Sequence, residues 1–485
     1  MVNKLSHLMG ILITVPALLS CQPSVNPSPT DLNITPKKSF STAAVAISDS
    51  YGAEIAENIL NSGGNAVDAA VAAGFALAVT FIDAGNIGGG GFMTIKIDQE
   101  VAFLDYREKA PLTAHKNMYL NDRGDVIDNI TLIGGQAAGV PGTVAGFWEA
   151  HQRFGQLPWK DLVQPAIELA DKGFMPAPIL VESIHSMEQR FEGKTNFNDY
   201  FNSISSDSLF RQPELANTLR RIAEFGADDF YRGETAALIV QQMEKSNGLI
   251  SLEDLDAYSA VWRAPVRAGW RDYEIISAPP PSSGGFAIVQ LLKMKDYLSE
   301  LFEGVEHNSA QYIHLVAEME KRVFADRAEY LGDPDFYKVP VSQIISKNYA
   351  KTINEKINVG KVTPSSVIYP GTFSDNESYE TTHFSIVDKD GNAVSSTYTL
   401  NSTFGSGVVI KDTGILMNNE MDDFAAAPGI PNQFGLLGAE ANQIVPGKRP
   451  LSSMTPTIVM KDGDFFFTTG SPGGSRIITA VLQSI

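Results

Sequence analysis

The chain has 485 residues, a formal net charge of −19 at pH 7, 44% hydrophobic and 19% charged residues. That balance suits a globular protein and excludes a wholly disordered one. The acidic field argues against a general nucleic-acid partner, and a lone cysteine, Cys21, rules out an internal disulfide framework.

The N-terminus reads as an export signal. Lys4 precedes an apolar run from Leu8 to Leu19, which falls short of the roughly 20 apolar residues of a membrane span. The segment 1–20 ends Leu18-Leu19-Ser20 before Cys21 and resembles a bacterial lipoprotein signal. Cleavage before Cys21 would leave a lipidated cysteine on the periplasmic side of a membrane; ordinary secretion with an incidental cysteine is the alternative. Residues 21–39 are rich in Pro, Ser, Thr and Asn and read as a tether.

The body then alternates helices and strands. A strand is expected over Ala43–Ser48, a helix over Tyr51–Leu60 and an Ala/Val-rich core helix over Ala66–Phe81. Gly88-Gly89-Gly90-Gly91 follows, before strands at Phe92–Ile97 and Val101–Tyr106. The run lacks the Gly-Lys-Ser/Thr ending of a P-loop and the spacing of a dinucleotide fingerprint, so it reads as close packing. The middle, from Pro158 to Gly360, reads as mostly helical, with helices over Asp161–Lys172, Glu214–Glu224 and Asn308–Leu331. In the last of these Asn308 or Ser309 is the expected cap and Gly332 the expected stop. Pro279–Gly285 reads as a turn entering a helix over Phe286–Lys293.

The region around Thr381 carries the strongest chemical signal. A polar, Pro- and Gly-containing run from Lys361 to Glu380 delivers Thr381 to a strand, and Asp388-Lys389-Asp390-Gly391 turns that strand into a partner over Ala393–Leu400. This places Thr381 near Thr399 and Asn401. If the Glu380–Thr381 bond is cut, Thr381 gains an α-amine with a pKa of roughly 7.7–8.0. That amine can serve as base for its own hydroxyl, so one residue supplies both nucleophile and base. Further on, Phe465–Thr469 reads as a strand. It enters Gly470-Ser471-Pro472-Gly473-Gly474-Ser475 and a helix over Arg476–Leu482, a geometry whose exposed N–H groups suit an oxyanion.

The run TTHFSIVDKDGNAVSSTYTLNSTFG from Thr381 to Gly405 resembles the signature of the γ-glutamyltransferase (γ-glutamyltranspeptidase) family. NNEMDDF, KRPLSSMTPTIV, GSPGGSRIIT, DYREKAP, GGNAVDAA, GVPGTVAGF and ADRAEYLGDP resemble further blocks of it, and the similarity runs from about Ala44 to Ile485. The resemblance implies an α+β, N-terminal-nucleophile hydrolase fold: an αββα sandwich of two antiparallel sheets between helix layers, with a helical region in the large part. It implies self-cleavage between Glu380 and Thr381 into a large part (40–380) and a small part (381–485). The implied activity moves the γ-glutamyl group of glutathione and related amides to water, an amino acid or a peptide. It calls for no cofactor and no metal.

The same resemblance assigns roles residue by residue. Thr381 is the expected nucleophile, with Thr399 orienting its amine. Arg107 would clamp the substrate α-carboxylate, helped by the hydroxyls of Ser452 and Ser453. Asn401, Glu420 and Asp423 would hold the α-ammonium, and Gly473 and Gly474 would supply oxyanion N–H groups. Pro428–Glu440 resembles a lid loop over the glutamyl pocket. Read without the family blocks, Arg107 is a surface ion pair, Asp422-Asp423 a solvated turn, Ser452-Ser453 the start of a strand and His383 a structural histidine. Family members continue for roughly a hundred residues past the point matching Ile485, with more strands and helices of the small part, so the sequence reads either as a fragment or as a truncated relative. The alternatives are a cephalosporin- or glutaryl-acylase-like amidohydrolase, or an uncut, inactive lipoprotein.

Overall fold

Side-chain alternation along the strands is what builds the layers. The computed structural model describes residues 42–368, 381–427 and 429–485. The signal 1–20, Cys21, the tether 21–39, Glu380 and Pro428 lie outside the described residues, all of which fall within one unit, Ser39–Ile485. The strands are β1 (Ala44–Ile47), β2 (Gly90–Ile97), β3 (Glu100–Tyr106), β4 (Val261–Arg263), β5 (Val266–Trp270), β6 (Tyr273–Ser277), β7 (Thr382–Val387), β8 (Ala393–Thr399), β9 (Val409–Ile410), β10 (Ile415–Leu416), β11 (Thr457–Lys461) and β12 (Asp464–Thr469). They form a six-stranded sheet β1-β7-β8-β2-β3-β4, a four-stranded sheet β12-β11-β6-β5 and a small β10-β9 hairpin, with antiparallel pairing throughout.

One face of the six-stranded sheet, carrying Met93, Ile95, Leu104, Tyr106, Phe384, Ile386, Val394 and Tyr398, joins the core beneath the helices. Those helices are Ala66–Thr80, Thr143–Phe154, Trp159–Lys172 and Pro213–Phe225. The alternate residues face the second sheet: Val387 and Ala393 pack with Ile276, Ile458 and Met460, and Thr94 donates to the Pro456 carbonyl at 2.8 Å. Helices Gly284–Tyr297, Ala310–Tyr330 and Ile477–Ser484 cover the far side with Ile275, Val459 and their neighbours. Helix, sheet, sheet, helix is therefore the layer order.

The helix Ala66–Thr80 is buried along its whole length. Its start is a capping box in which Asn65 accepts from Val67 and Asp68 N–H groups while Asp68 accepts from Asn65 N–H. Gly74 leaves room for the Phe147 ring, which also meets Phe75, Tyr106 and Tyr398 at centroid distances of 5.3, 6.0 and 5.8 Å.

Most expected elements stand where the periodicity places them, within a residue or two. Three findings differ. The helical middle also contributes β4, β5 and β6, so the second sheet is half built from it. The helix Ala310–Tyr330 is capped by Ser309, whose hydroxyl accepts from Tyr312 N–H at 3.3 Å, but it ends on an extended Leu331 and not on a left-handed glycine. Gly332 is small for a different reason: a Cβ there would lie 2.1 Å from the Ala441 carbonyl oxygen. Finally, Gly474–Arg476 is a 3-10 turn, and the helix proper starts at Ile477.

Candidate active site

The register of β7 against β8 sets the centre of the site. Thr382 pairs with Tyr398, which puts Thr381 opposite Thr399 at the open end of the hairpin. By alternation both belong to the face turned towards the second sheet. Thr381 is buried at 9% exposure. On the other side of β8, Thr399 pairs with Gly90. The tetraglycine run lets backbone and side chains converge here: a Cβ on Gly89 would lie 2.1 Å from the Thr399 carbonyl oxygen, and one on Gly90 2.7 Å from Glu108 Oε2. Packing, and not phosphate binding, explains these glycines.

Just past Thr399 the chain turns through Asn401 at φ +77°, a left-handed conformation that asparagine tolerates. Asn401 N–H donates to Thr399 Oγ1 at 2.9 Å and its side-chain amide to the Asn419 carbonyl at 3.0 Å. That tie brings in the short helical turn Glu420–Asp423.

Arg107, which follows β3 directly, is fully buried, so it is no surface ion pair. Its two terminal nitrogens donate to Glu420 and Asp423, Glu108 lies 3.6 Å away, and the carbonyls of Pro450 and Leu451 accept at 3.4 and 3.3 Å. Burial pulls this guanidinium down, but Glu420, Asp423 and Glu108 outweigh it and hold it charged above its ordinary value. Burial raises all three carboxyls against the pull of Arg107, Glu108 to about 7. Among the described residues no N–H or O–H donor reaches either oxygen of Glu108 or Oε2 of Glu420. The two carboxyls face each other, so a proton on one supplies the donor the other lacks.

Around this cluster stand the remaining site residues. Ser452 Oγ accepts from Met454 N–H at 3.1 Å, and Ser453 Oγ accepts from Arg327 at 3.2 Å. Ser452 makes an isolated bridge with Ser282, while the strand starts later, at Thr457. Asn432 donates to Asp423 at 2.9 Å, Ser402 to Gln433 at 2.7 Å, and Phe434 packs on Gly474, so the described part of the lid-like segment, 429–440, lies over the site. Gly473 and Gly474 are buried at φ +122° and +53°, and neither N–H is spent on a backbone carbonyl among the described residues. His383, two residues into the hairpin, bonds the hydroxyls of Thr397 and Ser385 at 2.8 and 3.0 Å and packs on Gly470. Burial lowers its pKa to about 3, so it stays neutral and structural.

Structure thus gathers Thr381, Thr399, Asn401, Arg107, Glu420, Asp423, Ser452, Ser453, Gly473 and Gly474 into one region. It adds Glu108, Arg327, Asn419, Asn432 and Phe434, to which the sequence reading gave no role. Glu108 and Arg327 sit inside the DYREKAP and ADRAEYLGDP blocks, which was the available signal.

Comparison with known proteins agrees with this geometry. The family described as Gamma-glutamyltranspeptidase matches residues 52–485. The glutathione hydrolase proenzyme of Pseudomonas aeruginosa is 56% identical over 440 residues, covering 91% of this chain and 78% of that protein. Its Escherichia coli counterpart is 48% identical over 447 residues, covering 91% and 77%. Among solved structures, a γ-glutamyltranspeptidase from Pseudomonas nitroreducens complexed with L-DON superposes with a TM-score of 0.67 at 53% identity, covering 67% of this chain and 98% of that one. A cephalosporin acylase from Bacillus halodurans, at 24% identity and a TM-score of 0.78 over 96% of this chain and 82% of its own, shares the fold. The chain belongs to the γ-glutamyltranspeptidase family.

Proposed function

We propose that this protein is a glutathione hydrolase and γ-glutamyltransferase made as a precursor that cuts itself between Glu380 and Thr381. The observation that carries the reading is Thr381 at the head of β7, opposite Thr399, which Asn401 and Asn419 tie to the turn carrying Glu420 and Asp423, the partners of the buried Arg107. The freed α-amine takes the proton of the Thr381 hydroxyl, which attacks the γ-carbonyl of the donor. The N–H groups of Gly473 and Gly474 receive the developing oxyanion. The amine then returns the proton to the leaving nitrogen, and water, an amino acid or a peptide takes the acyl group.

Donor recognition follows from the charges. An α-amino acid head carries one carboxylate and one ammonium. Its carboxylate pairs with Arg107 and the hydroxyls of Ser452 and Ser453, and its ammonium replaces Arg107 as partner of Glu420 and Asp423, with Asn401 beside it. The swap keeps the number of buried charges balanced. A plain glutaryl group offers no ammonium for Glu420 and Asp423, which favours the γ-glutamyl reading over an acylase. The leader and Cys21 support a periplasmic, lipid-anchored location; among the described residues no helix is long and apolar enough to cross a membrane.

The test is intact mass together with release of p-nitroaniline from γ-glutamyl-p-nitroanilide. Wild type is expected as two chains split before Thr381 and active. Thr381→Ala is expected uncut and inactive; an Ala variant that is cut and turns over would remove Thr381 from the reaction.

A further inference from the structure

Two features have no part in the chemistry so far: the buried Arg327, in the helix Ala310–Tyr330, and the Pro279–Gly285 turn. They meet beneath Ser452 and Ser453. Arg327 Nε donates to Ser283 Oγ at 2.9 Å, and a terminal nitrogen of the same guanidinium donates to Ser453 Oγ at 3.2 Å. Ser283 passes the bond on, its hydroxyl donating to the Ser452 carbonyl at 2.7 Å. Ser283 N–H reaches the same carbonyl at 2.8 Å, and Ser452 N–H returns a bond to Pro281 at 2.9 Å.

Donor and acceptor counting gives this arrangement a direction. A guanidinium only donates. Ser453 Oγ therefore receives a hydrogen from Arg327, and its own hydroxyl hydrogen must point elsewhere. Among the described residues it has no acceptor, and Ser453 is one of the few site groups with some exposure, 7%. An incoming carboxylate meets a hydrogen and not a lone pair. Arg327 also adds a second positive charge near Asp423 and Arg107.

We infer that Arg327 is a positioning residue for donor recognition: it fixes the Ser453 hydroxyl as a one-way donor to the α-carboxylate and, through Ser283, holds the Ser452 backbone in place. The inference rests on the γ-glutamyl reading above. Lysine in place of Arg327 keeps the charge but lacks the planar fork that spans both serines.

The experiment is a double-mutant cycle on γ-glutamyl-p-nitroanilide with Arg327→Gln, Ser453→Ala and both together, each first confirmed as two chains by mass. The expected result is a KM about 10–100-fold higher for Arg327→Gln, with kcat within about threefold. L-glutamate, a product carrying the same head, should lose inhibition by a similar factor. In the Ser453→Ala background the same change should cost less than about threefold. Arg327→Lys should recover only part of the loss. A kcat loss at unchanged KM, or additive losses in the cycle, would overturn the inference by making Arg327 merely structural. If Arg327→Gln does not mature, the cycle is run with Arg327→Lys, judged by the same two criteria. A wild type that matures but shows no γ-glutamyl turnover would sink the activity reading; an active wild type matched by Arg327→Gln would sink only this inference.

Discussion

Glu108 carries the clearest cost in the site. Its carboxyl is buried, raised to about 7, and without an N–H or O–H donor among the described residues. A carboxyl whose pKa is raised on folding holds more protons in the native state than in the unfolded one between the unfolded value, roughly 4.3, and about 7. Stability from this group is therefore lost as pH rises through that window. Glutamine mimics the neutral carboxyl, so in the ligand-free protein Glu108→Gln is expected to melt like wild type at pH 5 and higher at pH 8. The gap should widen as pH rises from 5 to 8; melting curves that track each other at both pH values would contradict it. The neighbouring logic was only partly legible. The residues of the cluster were found through the family blocks, because Asp105-Tyr106-Arg107-Glu108 on its own has the composition of a solvated ion pair. What sequence could not reveal is that Arg107 is the shared partner of Glu420 and Asp423 in the resting site. His383 was legible as structural, and its two hydroxyl partners show why.

The tetraglycine run shows how an element can serve chemistry without taking part in it. Gly89 brings β2 against the Thr399 carbonyl and is fixed by its N–H bond to Asn86 Oδ1 at 2.8 Å. A methyl at Gly89 would have to displace backbone, at a cost of about 1–3 kcal/mol, and the displaced residue is the one facing Thr381. Gly89→Ala is therefore expected to slow cleavage at Thr381 by tenfold or so, followed by mass over hours. Gly360→Ala, where a Cβ meets nothing nearer than Asn358 at 3.7 Å, should leave cleavage unchanged. Equal rates in both variants would show that the approach of β2 is not what places Thr399. The β7–β8 hairpin was legible because period-two alternation and an Asp-Gly turn agree. Strands β4, β5 and β6 were not, since each is five residues or fewer and their sheets are set by distant pairing: β4 lies against β3, over 150 residues earlier, and β6, which carries β5 beside it, against β11, some 180 residues on. Gly332 misled for a related reason: a glycine after a helix suggests a cap, and only the tertiary contact with Ala441 shows its use.

The expected cleavage point divides the sequence but not the architecture. β7 and β8 of the small part lie between β1 and β2 of the large part, and β11 lies beside β6. The Ser452–Met454 segment is likewise stitched to the Pro279–Gly285 turn. The two chains of the mature protein should stay together through gel filtration and separate only in denaturant. That interleaving gives the cut an irreversible meaning. Before it, folding is a first-order event within one molecule; after it, the same structure can be regained only by collision of two. The melting temperature of the cleaved protein should rise with protein concentration by mass action, while that of uncut Thr381→Ala should not. Refolding from separated chains would be second order and slow on dilution, so each molecule has one unimolecular chance to assemble, and the nucleophile is exposed only in those that have used it.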